Sequence, residues 1–219
     1  AETFVEFQRR TGHTLLERYG MTETGMNTSN PLNGERRAGT VGLPLPGVAV
    51  RICGVDGGTL GVNEVGELQV SGANVFAGYW NMPEQTLQEF TSDGFFRTGD
   101  QASIDEQGYI SIVGRSKDMV ISGGLNVYPK EVEILIDAVP GVIESAVIGL
   151  PDTDFGEAVV AIVVLADGAT VSAKQIQDTI SARAAKFKIP KRIIFVDELP
   201  RNAMGKVQKD VLRKRYTDN

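Results

Sequence analysis

From Ala158 to Ala166 the chain is apolar without interruption, and the Asp167-Gly168 pair that closes this run marks the end of a buried strand. Around it two periods divide the sequence. Thr3 to Arg10 has helical spacing, with Phe4 and Phe7 three apart, and leads through Gly12 to a short apolar pair, Leu15-Leu16. From Gly39 to Val113 apolar and polar residues alternate in short runs broken by Gly, Pro and Asp. VAVRI, GELQVSG and GYISIVG are the clearest, and they predict antiparallel strands. Pro83 to Phe90 is a helical insertion, with Pro83 suited to a first turn.

After Gly114 the order changes. MVISGGLNVY reads as a hairpin, Lys130 to Ala138 as a helix, and GVIESAVIGL and AVVAIVVLA as strands. Ser172 to Ala185 reads as a helix, RIIFVDEL as a strand and Lys209 to Arg215 as a last helix. The predicted fold class is α+β: a distorted antiparallel β-subdomain over residues 1–116, then a small α+β domain over residues 117–219, with the boundary at Lys117.

Composition narrows the function classes without choosing one. Hydrophobic content of 42% and charged content of 23% are those of an ordinary globular protein. A net charge of −6 argues against broad binding to nucleic acid or to an acidic membrane surface, and leaves room for a small phosphorylated ligand. No apolar run approaches the roughly 18–20 residues that a membrane-spanning helix needs. With one cysteine, Cys53, and one histidine, His13, an intrachain disulfide is impossible and a His-rich metal site is excluded. Cys53 is expected in the core and His13 on the surface, and the scarcity of cysteine fits a cytoplasmic setting.

The chemistry-bearing residues fall in a few short motifs. Gly205-Lys206 puts a mobile point charge on a loop that can approach phosphate or carboxylate oxygens closely; Pro200 and Val207 exclude a Walker A loop. Thr22 and Glu23 form a hydroxyl–carboxylate pair after Tyr19-Gly20, suited to a phosphate oxygen and to Mg²⁺, and Tyr19 offers a flat face to a purine. Asp100, after Arg97-Thr98-Gly99, can accept from ribose hydroxyls, with Arg115 available to the same nucleotide. Gly123-Gly124 allows close approach of a ligand, and Lys186, Lys188, Lys191 and Arg192 form a basic cluster.

Each motif also has a plainer role. Lys206 could lie on a surface turn, Thr22 could cap a helix with Glu23 in its first turn, and Asp100 could be a turn residue between strands. Gly123-Gly124 could be a hairpin turn and Arg115, Lys117 and Asp118 solvated linker charges. The basic cluster could be a solvated helix end.

The order YGMTE, GTVGLPLPG, GELQVSG, GYW, FRTGD, DEQGYISIVGRSKDMVISGGLNVYPKEVE, PRNAMGKV decides between these alternatives. From about Leu16 to Arg213 the chain resembles the adenylate-forming superfamily of acyl-CoA synthetases, peptide-synthetase adenylation domains and luciferases. The resemblance implies the end of the large adenylation domain followed by the small mobile C-terminal domain. It implies an AMP-forming acid–CoA ligase using ATP, Mg²⁺ and coenzyme A on a small carboxylic acid. Tyr19 would stack on adenine with Gly20 beside it, Thr22 would touch the α-phosphate, and Glu23 would bind Mg²⁺. Asp100 would hold the ribose with Arg115 nearby, and Lys206 would orient carboxylate and α-phosphate. Lys117 would be the hinge and Gly124 would line the pantetheine channel.

Within the family, LERYGMTETGMNTSNP and GERRAGTVG are most similar to malonyl-CoA synthetases. That implies malonate or a close dicarboxylate, with Arg18 and Met21 on the substrate side. The family's Ser/Thr/Gly-rich phosphate loop has no counterpart in Ala1 to Leu16, so a C-terminal portion, inactive alone, is expected. The rival classes are an adenylation enzyme loading a carrier protein and a truncated, non-catalytic nucleotide-binding or interaction protein.

Overall fold

The long apolar run is buried because its strand has helices on both faces. In the computed structural model, which describes residues 2–217, Val159, Ala161 and Val163 of this strand point into one core, and Ala158, Val160, Ile162 and Val164 into a second. Period-2 alternation is lost where both faces are dry. The chain forms two compact units that divide between Ser116 and Lys117.

The first unit begins with helix α1 (Glu2–Thr11) and a three-stranded antiparallel sheet of β1 (Arg18–Met21), β2 (Gly25–Ser29) and β3 (Leu43–Pro44). A four-stranded antiparallel meander follows: β4 (Val48–Cys53), β5 (Gly66–Gly72), β6 (Phe96–Ile104) and β7 (Ile110–Arg115), with helix α2 (Pro83–Glu89) between β5 and β6. Pro83 occupies the first turn of α2, where its missing N–H costs nothing. Ile52, Leu68, Ala102 and Ile110 form the core of the meander, and the ring of Tyr19 packs against it. Cys53 is buried and His13 is exposed, as expected.

In the second unit β8 (Val120–Ser122) and β9 (Leu125–Val127) form a hairpin, followed by α3 (Pro129–Asp137), β10 (Val142–Asp152), β11 (Gly156–Leu165), α4 (Ala173–Ser181), β12 (Arg192–Val196) and α5 (Lys209–Thr217). The sheet order is β10-β11-β8-β9, and β12 pairs in parallel with β11. Val132 and Ile136 of α3 and Ile176 and Ile180 of α4 cover one face, and Leu212 of α5 covers the other. Ser172 caps α4 through a reciprocal pair with Gln175. This helix ends at Ser181, short of the expected Ala185. The chain then turns so that Phe187 and Ile189 pack against the core, and that burial outweighs the helical propensity of the alanines.

Asp137, at the end of α3, accepts a 2.6 Å hydrogen bond from the Ser145 hydroxyl. Burial pushes its carboxyl above the ordinary value, although the Ser145 bond acts the other way. A raised carboxyl favours the protonated folded state, so its contribution is present at acid pH and is lost as pH rises through the folded value. Asp137→Asn, which keeps an acceptor for Ser145, is therefore expected to raise stability at pH 7 by about 0.5 kcal/mol. Thermal melts from pH 7 downward should show the gap closing through the carboxylate range; a constant gap would mean that ionisation of Asp137 is not its source.

Candidate functional site

A bulged hairpin carries the first motif. Strands β1 and β2 pair from Arg18↔Ser29 to Met21↔Gly25, and residues Thr22, Glu23 and Thr24 make the turn. Thr22 is thus a turn residue and not a helix cap. A Cβ on Gly20 would lie 2.2 Å from the carbonyl oxygen of Gly25, so close backbone approach alone accounts for this glycine. Burial alternates along β1: Tyr19 and Met21 are half-buried, whereas Arg18 and Gly20 are exposed. Arg18 therefore lies on the face opposite Tyr19 and Met21, and it has no charged partner among the described residues.

Asp100 belongs to β6 and does not stand in a turn between strands. It is 5% exposed, directly opposite Arg115 on β7. Arg115 Nε lies 3.0 Å from Asp100 Oδ1, and the Tyr19 hydroxyl donates to Asp100 Oδ2 at 2.5 Å. Burial, and then the bond to Asp100, push the Tyr19 hydroxyl well above the ordinary phenol range, so it remains a donor at neutral pH. Thr98, also buried, donates to the carbonyl of Leu68 and accepts from the amide of Asp100, which fixes the strand beneath the carboxylate. Tyr19, Met21, Asp100 and Arg115 converge at one place, since the Tyr19 hydroxyl also lies 3.8 Å from Met21 Sδ.

Thr22 is exposed and Glu23 half-buried at the tip of the hairpin. Glu23 Oε1 accepts from the Tyr79 hydroxyl at 3.1 Å. Tyr79 carries no role in the sequence reading; its only signal is its place in GYW. Among the described residues no group of three or more His, Cys, Asp or Glu could hold a metal by itself. A single carboxylate with one oxygen left without a protein donor among the described residues is compatible with Mg²⁺, which is commonly held by one or two carboxylates, substrate phosphates and water.

In the second unit Lys206 sits on a tightly built turn. Asn202 Oδ1 accepts from the amides of Met204 and Lys206 at 3.0 and 2.9 Å, and Gly205 takes a positive φ of 77°. Arg201 donates to the carbonyl of Gly205 at 2.6 Å and pairs with Glu144 on β10. The Lys206 ammonium is exposed and has no ion pair among the described residues. Gly123 and Gly124 both have positive φ, 59° and 76°, and form the two-residue turn of the β8–β9 hairpin. Lys117 is exposed within a 3₁₀ turn; Arg115 before it pairs with Asp100, and Asp118 after it pairs with Arg213 of α5 at 2.8 Å. The basic cluster is partly neutralised: Lys188 pairs with Glu131, and Lys191 pairs with Asp152 and lies over the Phe155 ring.

Residues 1–80 match the AMP-binding enzyme family, and residues 131–206 match the AMP-binding enzyme C-terminal domain. The chain belongs to this adenylate-forming family and corresponds to its C-terminal part. It is 47% identical, over 97% of its length, to a probable CoA ligase, CCL8, of Humulus lupulus, and covers 37% of that protein. It is 43% identical to malonate–CoA ligase of Arabidopsis thaliana over 95% of its length, covering 36% of that protein. The crystal structure of ATP-bound MatB from Rhodopseudomonas palustris superposes with a TM-score of 0.95 at 57% identity, over 99% of this chain and 43% of that one. The chain therefore spans little more than a third of the length of these two curated relatives.

Proposed function

We propose that the chain is part of an AMP-forming acid–CoA ligase that activates malonate or a close dicarboxylate with ATP and transfers it to coenzyme A. The observation that carries this reading is the convergence of Tyr19, Asp100 and Arg115 beside the Thr22-Glu23 turn. It is supported by identity to malonate–CoA ligase and by likeness to ATP-bound MatB.

In the first half-reaction a carboxylate oxygen attacks the α-phosphorus of ATP, pyrophosphate leaves, and acyl-adenylate remains. The Tyr19 ring, held by the meander core and by Asp100, is a fixed platform for adenine. Asp100 accepts from the ribose hydroxyls, Arg115 holds that carboxylate in place, and the Thr22 hydroxyl donates to the α-phosphate. Close packing at Gly20 sets the backbone between them. Glu23 would hold Mg²⁺, which supplies charge neutralisation at the phosphates. Lys206 places its ammonium on the carboxylate and α-phosphate oxygens, where negative charge shifts during the transfer. Met21, on the face of Tyr19, lines the acyl side. Arg18 is the cation assigned to the second carboxylate of malonate in this reading, and it lies on the face of β1 opposite Met21.

In the second half-reaction the coenzyme A thiol attacks the acyl carbonyl, AMP leaves and the thiol proton is released. The Gly123-Gly124 turn would line the pantetheine path. Lys117 is the hinge in this reading, because Arg115 and Asp118 are each anchored within a different unit while Lys117 has no ion pair among the described residues. The unit from Lys117 onward is then the small mobile domain, carrying Lys206, and residues 1–116 are the end of the large domain. A cytoplasmic setting belongs to the same proposal and rests on cysteine usage.

ATP–pyrophosphate exchange by the full-length protein tests the reading, with malonate, methylmalonate and acetate compared. Malonate-dependent exchange is expected; exchange with acetate alone would remove the substrate assignment, and none with any acid the activity. In the same assay Asp100→Asn is expected to raise the KM for ATP by about 10- to 100-fold, the loss of hydrogen bonds to a charged acceptor. An unchanged KM would remove Asp100 from the ribose site.

A further inference from the structure

One short segment holds the Glu23 turn from three directions. Asn74 Nδ2 donates to the carbonyl of Thr24 at 2.7 Å and to Asn27 Oδ1 at 3.0 Å. The amide of Phe76 donates to the carbonyl of Glu23 at 2.8 Å, and the Tyr79 hydroxyl donates to its carboxylate. Asn27 closes the set by donating to Thr24 Oγ1 at 2.8 Å. Thr24 and Asn27 are fully buried, so these bonds have no competition from water.

The segment is itself held rigidly. The Tyr79 ring stands edge-on to Phe76 at 4.9 Å between centroids, and Phe76 packs on Phe96 at 5.3 Å and on Phe90 at 6.0 Å. The Tyr79 amide donates to Thr86 Oγ1 of α2 at 2.9 Å. Only one Glu23 oxygen is engaged. Oε2 has no protein donor among the described residues, which leaves it available to a cation or its water.

We infer that Tyr79 is the positioning residue of the Glu23 carboxylate, with Asn74 and Phe76 fixing the backbone of the same turn. The inference rests on the reading of Glu23 as the Mg²⁺-binding residue. A carboxylate free to rotate would lose orientation each time the cation departs, whereas one held by a fixed phenol presents the same oxygen to every incoming nucleotide–metal complex. A purely structural tyrosine would serve equally well by donating to a backbone carbonyl. Tyr109 in the same unit does that, donating to the carbonyl of Glu35 at 2.8 Å, and so provides a matched comparison.

The test uses the full-length protein and reads ATP affinity by calorimetry with and without Mg²⁺. Tyr79→Phe, which keeps the ring packing, is expected to reduce the Mg²⁺-dependent gain in ATP affinity by about tenfold and to leave the Mg²⁺-free affinity unchanged. Tyr109→Phe should leave both unchanged while lowering the melting temperature to a similar extent. Glu23→Gln should abolish the gain. If Glu23→Gln abolishes it and Tyr79→Phe does not reduce it, the positioning role is overturned and the metal reading of Glu23 stands. If Glu23→Gln leaves the gain intact, the metal reading falls and takes the inference with it. Equal effects of Tyr79→Phe and Tyr109→Phe on the gain would mean general loosening and would also overturn the role.

Discussion

Lys206→Ala in the full-length protein is expected to slow acyl-adenylate formation on the order of 10²–10³-fold, the usual cost of removing one preorganised charge or donor from a transition state. Thioester formation from supplied acyl-adenylate should change only a few-fold, since that step breaks the acyl carbon–oxygen bond and not a phosphorus–oxygen bond, and Lys206 is assigned to the first step alone. The fold gives the comparison its force. Lys206 is exposed and has no ion pair among the described residues, and its turn is held by Asn202 and Arg201, so alanine removes the ammonium without releasing any buried partner. Stability should therefore stay within about 0.5 kcal/mol of the parent. Lys206→Arg keeps the charge on a bulkier, planar group and should fall between the two. Equal losses in both half-reactions would remove Lys206 from the adenylation step and return it to the status of a surface lysine.

The largest stability loss is expected at Glu133. Its side chain is 8% exposed and joins three elements: from α3 it accepts from the amide of Val147 on β10 at 3.0 Å and from Lys209 Nζ on α5 at 2.5 Å. Lys209 is itself only 17% exposed. Glu133→Ala strands a largely buried ammonium and a buried amide together, at a cost of about 3–5 kcal/mol. Glu133→Leu with Lys209→Met should recover much of that loss, because it removes both charges and leaves only the Val147 amide unpaired. Amide hydrogen exchange over residues 129–165 and 209–217 is the suitable measurement. The single tryptophan, Trp80, lies in the other unit and is 88% exposed, so its fluorescence would not report this change. A Glu133→Ala protein that kept full protection in these segments would show that the carboxylate holds nothing together.

The legible and illegible parts of the chain differ in one physical respect. Strand β11 and helices α3 and α5 are readable because most of their inward positions are apolar and recur at the period of the element, Glu133 of α3 being the exception. Strand β6 was not recognised as a whole. Its inward positions are Phe96, Thr98, Asp100 and Ala102, so two of the four are polar, and Gly99 interrupts the run with a positive φ of 69°. In β2 the buried residues are Asn27 and Thr28. A pattern argument places such residues in water. They are buried because each has a partner supplied by another segment: Leu68 for Thr98, Tyr19 and Arg115 for Asp100, Asn74 for Asn27.

The same division runs through the site. Local chemistry in the sequence specifies the glycine turn at Gly123-Gly124, the Ser172 cap, the proline starts of α2 and α3, the buried run of β11 and the ordered motifs that identify the family. These follow from backbone sterics, capping and hydrophobic period, which act within a few residues. Tertiary structure decides that Asp100 faces Tyr19, 81 residues away, that Tyr79 holds Glu23 across 56 residues, and that Arg18 lies on the other face of β1 from Met21. Donor–acceptor pairing between distant segments leaves no local period in the chain, and it takes effect only once folding has excluded water and brought those segments together.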